Sequence, residues 1–347
     1  MKIDKSNPAS EQVRYGASMR KVILDFPKQF ADGLAAAKNV RLIGDFNQLI
    51  FCGMGGSALP AEILKILRNF YKWPLAIKIH KSYGLPARIS PKALVFAISY
   101  SGNTEETISS CEEAKKRNLP VIGIATGGKL TELCERDKAP LVKVPATGIQ
   151  PRSALGYLFA AVVKVLSNCN IIENLEKDIL EMAKALNPKA FEEQGKKLAQ
   201  KIKGKIPIIY ASDKFKELAQ IWKINFNENS KSPAFWNYFP ELNHNEMVGY
   251  EEIKSQKSKI KSNFHVIILR DKKLDHPRIL KRMTLTAKLL KEKGIKVDII
   301  DIRDVNILTK IFSNYILSQW VSYYLALEYG TDPTPVKMVE EFKKKLK

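Results

Sequence analysis

The chain has 347 residues, 45% of them apolar, which excludes wholesale disorder and is enough for two domains with cores of their own. Its net charge of +21 admits an anionic partner of any size, yet the lysines are scattered, and the densest patch, Lys254, Lys257, Lys259 and Lys261, holds no aromatic residue that could stack on a base. Solvated helix faces account for the charge, so neither nucleic acid nor membrane is expected as a partner. The longest apolar stretch, Leu155 to Leu166, is interrupted by Lys164 and too short to span a bilayer. The start, Met1-Lys2-Ile3-Asp4-Lys5, shows no apolar run of a secretory signal, and Cys52, Cys111, Cys134 and Cys169 form no C-x-x-C pair. A reduced, cytoplasmic protein is the expectation.

In chain order, residues 1–48 contain no strong strand; Ser10-Glu11-Gln12-Val13 and the apolar positions after it predict two helices as an N-terminal extension. A rhythm then begins. Leu49 to Cys52, Leu75 to Ile79, Ala93 to Ile98, Val121 to Ile124 and Leu141 to Val144 read as short apolar strands. Helical stretches, Leu59 to Tyr71 and Glu105 to Arg117, stand between them, and Leu155 to Leu166 reads as a buried helix. Apolar runs alternating with helices predict a parallel sheet covered on both faces. A charged, mostly helical connector follows over 169–203. The rhythm resumes with strands at Ile206 to Tyr210, Phe264 to Leu269 and Val297 to Ile300, and helices at Phe215 to Asn227 and His276 to Lys293. Apolar residues at 308, 311, 312, 315, 316, 320, 323 and 327 give a last helical stripe. The expected layout is two similar α/β domains, 49–168 and 204–347, the second carrying C-terminal helices.

Two strand-to-helix turns carry binding chemistry. Ser99-Tyr100-Ser101-Gly102-Asn103-Thr104 follows the strand ending at Ile98 and opens a helix. Gly102 can adopt positive φ, the helix start offers unpaired amides, and Ser99, Ser101 and Thr104 add hydroxyls, so an anion could sit here. The spacing G-x-x-x-x-G-K-[ST] is missing, so this is no nucleotide P-loop. An ordinary N-cap of the capping-box kind, Ser101 or Thr104 ahead of Glu105 and Glu106, fits the turn alone equally well. The second turn, Gly53-Met54-Gly55-Gly56-Ser57, also joins strand to helix. It lacks the third glycine of a dinucleotide fingerprint, and no acidic residue ends the next strand, which argues against NAD.

The two turns together resemble the sugar isomerase (SIS) domain family, whose S-x-S-G-x-T-x-E signature and upstream G-x-G-x-S loop are both intact here. The resemblance implies flavodoxin-like, doubly wound parallel sheets. It also implies that Gly55, Gly56, Ser57, Ser99, Ser101 and Thr104 hold the phosphate of a phosphosugar.

The second half carries a polar cluster among aromatics: Asn227-Glu228-Asn229-Ser230-Lys231, Phe235-Trp236-Asn237, and Pro240-Glu241-Leu242-Asn243-His244-Asn245-Glu246. Such a cluster is costly to bury, and its last part forms no periodic surface pattern. Aldose–ketose exchange needs a base to move a proton between C1 and C2, a group to open the ring, and a cation for the enediolate. A tuned carboxylate and an imidazole suit the first two. No metal or other cofactor is called for, and four scattered histidines supply no ligand set. Plainer readings remain for Glu228 as a helix-end charge, His244 as a turn residue and Arg152 as a surface charge.

These strings resemble the bifunctional phosphoglucose/phosphomannose isomerase family, a likeness running from the glycine loop to Asp332-Pro333. The resemblance implies Glu228 as the proton-transfer base and Arg152, in Gln150-Pro151-Arg152, as the enediolate cation. It implies His244 as the ring opener, donated across a homodimer. A C-terminal lysine also enters the family's site; Lys343 aligns best, with Lys337 in reserve and a solvated helix face as the plain reading. The sugar-discriminating position falls on Val336, neither glutamine nor a hydroxyl residue, and Glu251 to Asn263 is a lysine-rich addition. The expected function is an isomerase of glucose 6-phosphate, and of mannose 6-phosphate, with fructose 6-phosphate. The alternative is a non-catalytic phosphosugar-binding regulator, but residues 1–48 hold no basic recognition helix. An amidotransferase-type synthase would need a glutaminase domain, which this sequence does not contain.

Overall fold

A computed structural model describes residues 19–251, 263–303 and 306–346. The helix start expected near Ser10 and the body of the lysine-rich stretch after Glu251 lie outside the described residues. The chain divides into two compact units, residues 25–186 and residues 187–346 together with 19–24.

In the N-terminal unit, helix α2 (Lys28–Ala36) precedes a five-stranded sheet of β1 (Gln48–Cys52), β2 (Ala76–His80), β3 (Ala93–Ile98), β4 (Val121–Ala125) and β5 (Leu141–Lys143). The strand order is β2-β1-β3-β4-β5 and every pairing is parallel. Central strands explain the continuous apolar runs: all six residues of β3 and all five of β4 are buried. A strand covered on both faces has no side to give to water. Phe51 of β1 stacks on Phe96 of β3 at 4.8 Å between ring centres. Helices α3 (Leu59–Tyr71), α4 (Glu105–Lys116), α5 (Gly128–Arg136), α6 (Leu155–Asn168) and α7 (Glu176–Ala185) complete the unit. Helix α6 is the buried helix the sequence predicts, with Leu155 to Val163 all in the core.

The C-terminal unit repeats the plan with four strands, β6 (Ile206–Ser212), β7 (Phe235–Phe239), β8 (Phe264–Arg270) and β9 (Lys296–Asp301), in the order β7-β6-β8-β9 and again all parallel. Its helices are α8 (Glu192–Ile202), α9 (Lys216–Asn225), α10 (Pro277–Glu292), α11 (Ile307–Glu328) and α12 (Lys337–Leu346). Helix α1 (Met19–Asp25) is tied in by Arg20, whose guanidinium donates twice to the Glu192 carboxylate at 2.9 and 3.0 Å.

Two elements differ from expectation. Strand β7 forms from the aromatic run Phe235 to Phe239, which the polar residues around it mask in the sequence. As an edge strand it is only partly buried, so its residues show neither an apolar run nor alternation. Helix α5 follows Thr126-Gly127-Gly128, and its polar face hides the apolar stripe of Leu130, Leu133 and Cys134. The fold class itself is as expected: two doubly wound parallel α/β sheets with helices before and after.

Strand order locates the crevices. Where order reverses, between β1 and β3 and between β6 and β8, the connections leave on opposite faces and open a cleft at the carboxyl ends. The cleft of the C-terminal unit is filled by protein. Asp271, at the end of β8, accepts from the amides of Lys273 and Leu274 at 2.8 and 3.0 Å. Its other oxygen pairs with Lys310 of α11, and both side chains are buried, 1% and 3% exposed. Asp275 lies beside them, its carboxyl raised by burial. Two carboxyls beside one ammonium already paired disfavour an anion there.

Removing the ammonium would leave Asp271 charged and unpaired in the interior. Lys310→Met is therefore expected to lower unfolding stability by about 3–5 kcal/mol, measured by urea denaturation. A loss below about 1 kcal/mol would show that the pair is not buried as described.

Candidate functional site

The two predicted turns stand at the carboxyl ends of β1 and β3, on either side of the N-terminal unit's switch point. After β1, Gly55 takes φ +52° and starts a single 3-10 turn, Gly55–Ala58, that runs into α3. Gly56 must be glycine for a different reason: a Cβ there would lie 2.3 Å from the amide nitrogen of Arg152. The chain after β5 thus packs its backbone directly on the glycine turn, and Arg152 sits in its own 3-10 turn, Pro151–Ser153, with its side chain fully buried. Arg152 is not a surface charge.

After β3, Ser99 is fully buried and its hydroxyl lies 2.9 Å from that of Thr104. Gly102 takes φ +71°, and a Cβ on it would come within 1.7 Å of the Gly127 carbonyl oxygen. The amide of Asn103 reaches Ser101 Oγ at 3.3 Å. Thr104 is the N-cap residue of α4, yet its side chain makes no capping bond. The capping-box reading therefore does not hold, and the first amides of α4 have no side-chain acceptor of the usual kind. One bond joins the two turns: the Tyr100 amide donates to Ser57 Oγ at 3.1 Å in the interior. The arrangement is a cup of hydroxyls and amides at a helix start, suited to a tetrahedral anion.

In the C-terminal unit, Glu228 lies half-buried on a π-helical turn, Phe226–Ser230, that extends α9. The sequence predicts a helix running to Asn227 and gives no sign of the widened turn. Its cause is a polar network beneath it. Asn225 donates to Ser318 Oγ at 2.6 Å and accepts from Gln319 at 2.9 Å; Asn229 donates to Gln319 Oε1 at 3.2 Å and Ser322 Oγ at 2.9 Å. Both asparagines are fully buried. Holding both onto α11 fixes the turn between them, and such turns recur at functional sites. Lys231 ends the turn at φ +56°, and its ammonium donates to the Glu228 carbonyl at 2.6 Å and to the Pro333 carbonyl at 3.1 Å. None of the partners on α11 stands out in an apolar stripe, although Asn314, Ser318 and Ser322, each four apart, form a polar stripe that marks them.

His244 ends a short 3-10 turn, Glu241–His244, after β7 and is exposed. Lys343 and Lys337 are exposed on α12, a helix that buries none of its residues. Val336 is partly buried and its carbonyl accepts from the first amides of that helix. The structure thus gathers Gly55, Gly56, Ser57, Ser99, Ser101 and Thr104 into one cup, with the Arg152 backbone against it. It places Glu228 on a braced turn, His244 on a separate loop and both lysines on an exposed helix. Among the described residues no group of three or more His, Cys, Asp or Glu side chains is clustered as a metal site would require, and no helix is long and apolar enough to cross a membrane.

Comparison with known proteins agrees with this geometry. A model of the bacterial phospho-glucose isomerase C-terminal SIS domain matches residues 191–346, and the SIS domain model matches residues 43–141. The bifunctional phosphoglucose/phosphomannose isomerase of Caldicellulosiruptor bescii is 37% identical over 339 residues, covering 93% of this chain and 97% of its own. That of Aquifex aeolicus is 34% identical over 305 residues, covering 87% and 91%. In structure, the C-terminal domain of glucosamine-fructose-6-phosphate aminotransferase from Francisella tularensis superposes with a TM-score of 0.68 at 14% identity, over 91% of this chain and 97% of that one, a likeness of fold. At 37% and 34% identity with the first two over most of its length, this chain belongs to the bifunctional phosphoglucose/phosphomannose isomerase family.

Proposed function

We propose that the protein isomerises glucose 6-phosphate and mannose 6-phosphate to and from fructose 6-phosphate, through ring opening and a cis-enediol, with no cofactor. The observation that carries this reading is the cup: a helix start without a side-chain cap, ringed by Ser57, Ser99, Ser101 and Thr104. Support comes from relatives named for both activities that match the chain nearly end to end.

In this reading Gly55, Gly56, Ser57, Ser99, Ser101 and Thr104 hold the phosphate, the end of the sugar that does not react. Its binding energy orients C1 and C2 toward the base. Glu228 is that base, taking a proton from one carbon and returning it to the other. Its braced turn suits the task, because a positioned base needs no reorganisation at the moment of transfer. Arg152 stabilises the enediolate oxygen, and its burial lowers the local dielectric and strengthens the interaction. Lys343 adds a second cation from α12, with Lys337 in reserve. His244 opens the ring and is donated by the second subunit of a homodimer. The setting is sugar phosphate exchange in glycolysis and gluconeogenesis in the cytoplasm, in keeping with four buried free thiols.

Glu228→Gln is expected to lower kcat by about 10²–10⁴-fold, with the dissociation constant for fructose 6-phosphate nearly unchanged by calorimetry. Retained turnover would remove Glu228 as the base. Gly102→Ala pushes a methyl into the Gly127 carbonyl. It should cost more than about 1 kcal/mol of stability and abolish the rise in Tm that the phosphosugar confers on the wild type. An unchanged rise would exclude the cup as the phosphate site. Mixing inactive His244→Ala and Glu228→Gln homodimers under exchange should restore about a quarter of wild-type activity, since half the dimers are mixed and each has one intact site. No recovery would mean that His244 acts within its own subunit.

A further inference from the structure

His244 makes its catalytic contribution, in the reading above, from an exposed position on a loop. An imidazole that moves protons at two sugar oxygens must be held to within a fraction of an ångström, and helix or strand packing does not do it here. The neighbours of His244 do. On one side Asn243 donates to Thr286 Oγ1 of α10 at 2.9 Å. On the other side the Glu246 amide donates to Asn245 Oδ1 at 2.5 Å, and the Asn245 amide group donates to Glu241 at 2.6 Å.

The firmest tie is the Glu246 side chain. One carboxylate oxygen accepts from the Asn237 amide group of β7 at 2.5 Å, and the other accepts from the Tyr210 hydroxyl of β6. Tyr210 is wholly buried, and its hydroxyl lies 2.7 Å from that of Tyr250, at the far end of the same loop. Burial above all holds the Tyr210 phenol well above the ordinary tyrosine range and pushes that of Tyr250 to about 12. Both phenols therefore keep their protons. Tyr210 spends its proton on Glu246, so Tyr250 donates to Tyr210, and the chain of bonds has one direction. Removing the carboxylate would break the chain at the residue two places after His244.

We propose that Glu246 is the positioning residue for His244, its carboxylate anchoring the ring-opening loop to the sheet through Tyr210 and Asn237. This rests on His244 as the ring opener. In that step for fructose 6-phosphate, the anomeric hydroxyl loses its proton, the bond from C2 to the ring oxygen breaks, and the pair left on that oxygen takes up a proton. Isomerisation of an open chain skips the step. The analogue 5-deoxyfructose 6-phosphate lacks the hydroxyl that closes the ring and exists only as the open chain.

Glu246→Ala is expected to lower kcat/KM on fructose 6-phosphate by about 10²-fold, the size of effect a misplacement of about 1 Å produces, while activity on the open-chain analogue falls less than about threefold. Equal loss on both substrates, or loss on neither, overturns the proposal. Tyr210→Phe, which keeps the buried ring and removes one of the two anchors, should show the same split to a smaller degree, and decides the matter if the alanine variant does not fold. His244→Ala separates this proposal from its premise. It should lose fructose 6-phosphate turnover and keep the analogue; if it does so and Glu246→Ala does not, only the positioning role fails. If His244→Ala shows no split, ring opening by His244 fails and the proposal falls with it.

Discussion

Five buried side chains, Asn225, Asn229, Ser318, Gln319 and Ser322, fix the backbone around Glu228 in the C-terminal unit. Asn225 and Asn229 are an α-helical turn apart in sequence and are both bonded to α11, through Ser318, Gln319 and Ser322. A buried amide without partners costs on the order of 1–3 kcal/mol, so each end of the network holds the other in place. The turn between them widens to satisfy both, and Glu228 rides on it. The backbone that carries the carboxylate is thus fixed by hydrogen bonds on either side of it. Lys231 extends the same logic forward, tying the end of the turn to Pro333 and so to the segment that leads into α12.

The two units use one topology for opposite ends. Each has a crevice where strand order reverses, at the carboxyl ends of two central strands. In one the crevice is lined with glycine backbone and hydroxyls. In the other it is closed by Asp271, Asp275 and Lys310. Among the described residues the same switch point thus carries a hydroxyl- and glycine-lined pair of turns in one unit and a buried ion pair in the other. The difference lies in which residues fill the crevice, not in the fold.

Much of this is visible in the sequence because it rests on backbone rules. Gly55 and Gly102 at positive φ, serines around them, and apolar runs in front of them are local signals, and local signals survive in one dimension. The polar strings around Glu228 and His244 stand out in the sequence as well, and Asn229, Asn237 and Glu246 within them prove to be bonded into the fold. What the sequence hides is set by distant partners. The π turn depends on residues about ninety positions away. Strand β7 is hidden because an edge strand needs no continuous apolar run, and the burial of Arg152 because a turn next to a helix start reads as surface. For the C-terminal lysine, six lysines and glutamates within ten residues look alike, and α12 buries nothing that would single out one of them.

That last helix has a kinetic meaning. Ten residues in water form a helix only marginally, since nucleation fixes several residues for a single bond. Helix α12 adds no burial to help, and Met338, Val339, Phe342 and Leu346 stand exposed along it. In the isolated chain its opening is local and nearly free of the unit's global stability, so its amides exchange with solvent long before those of β6 or β8.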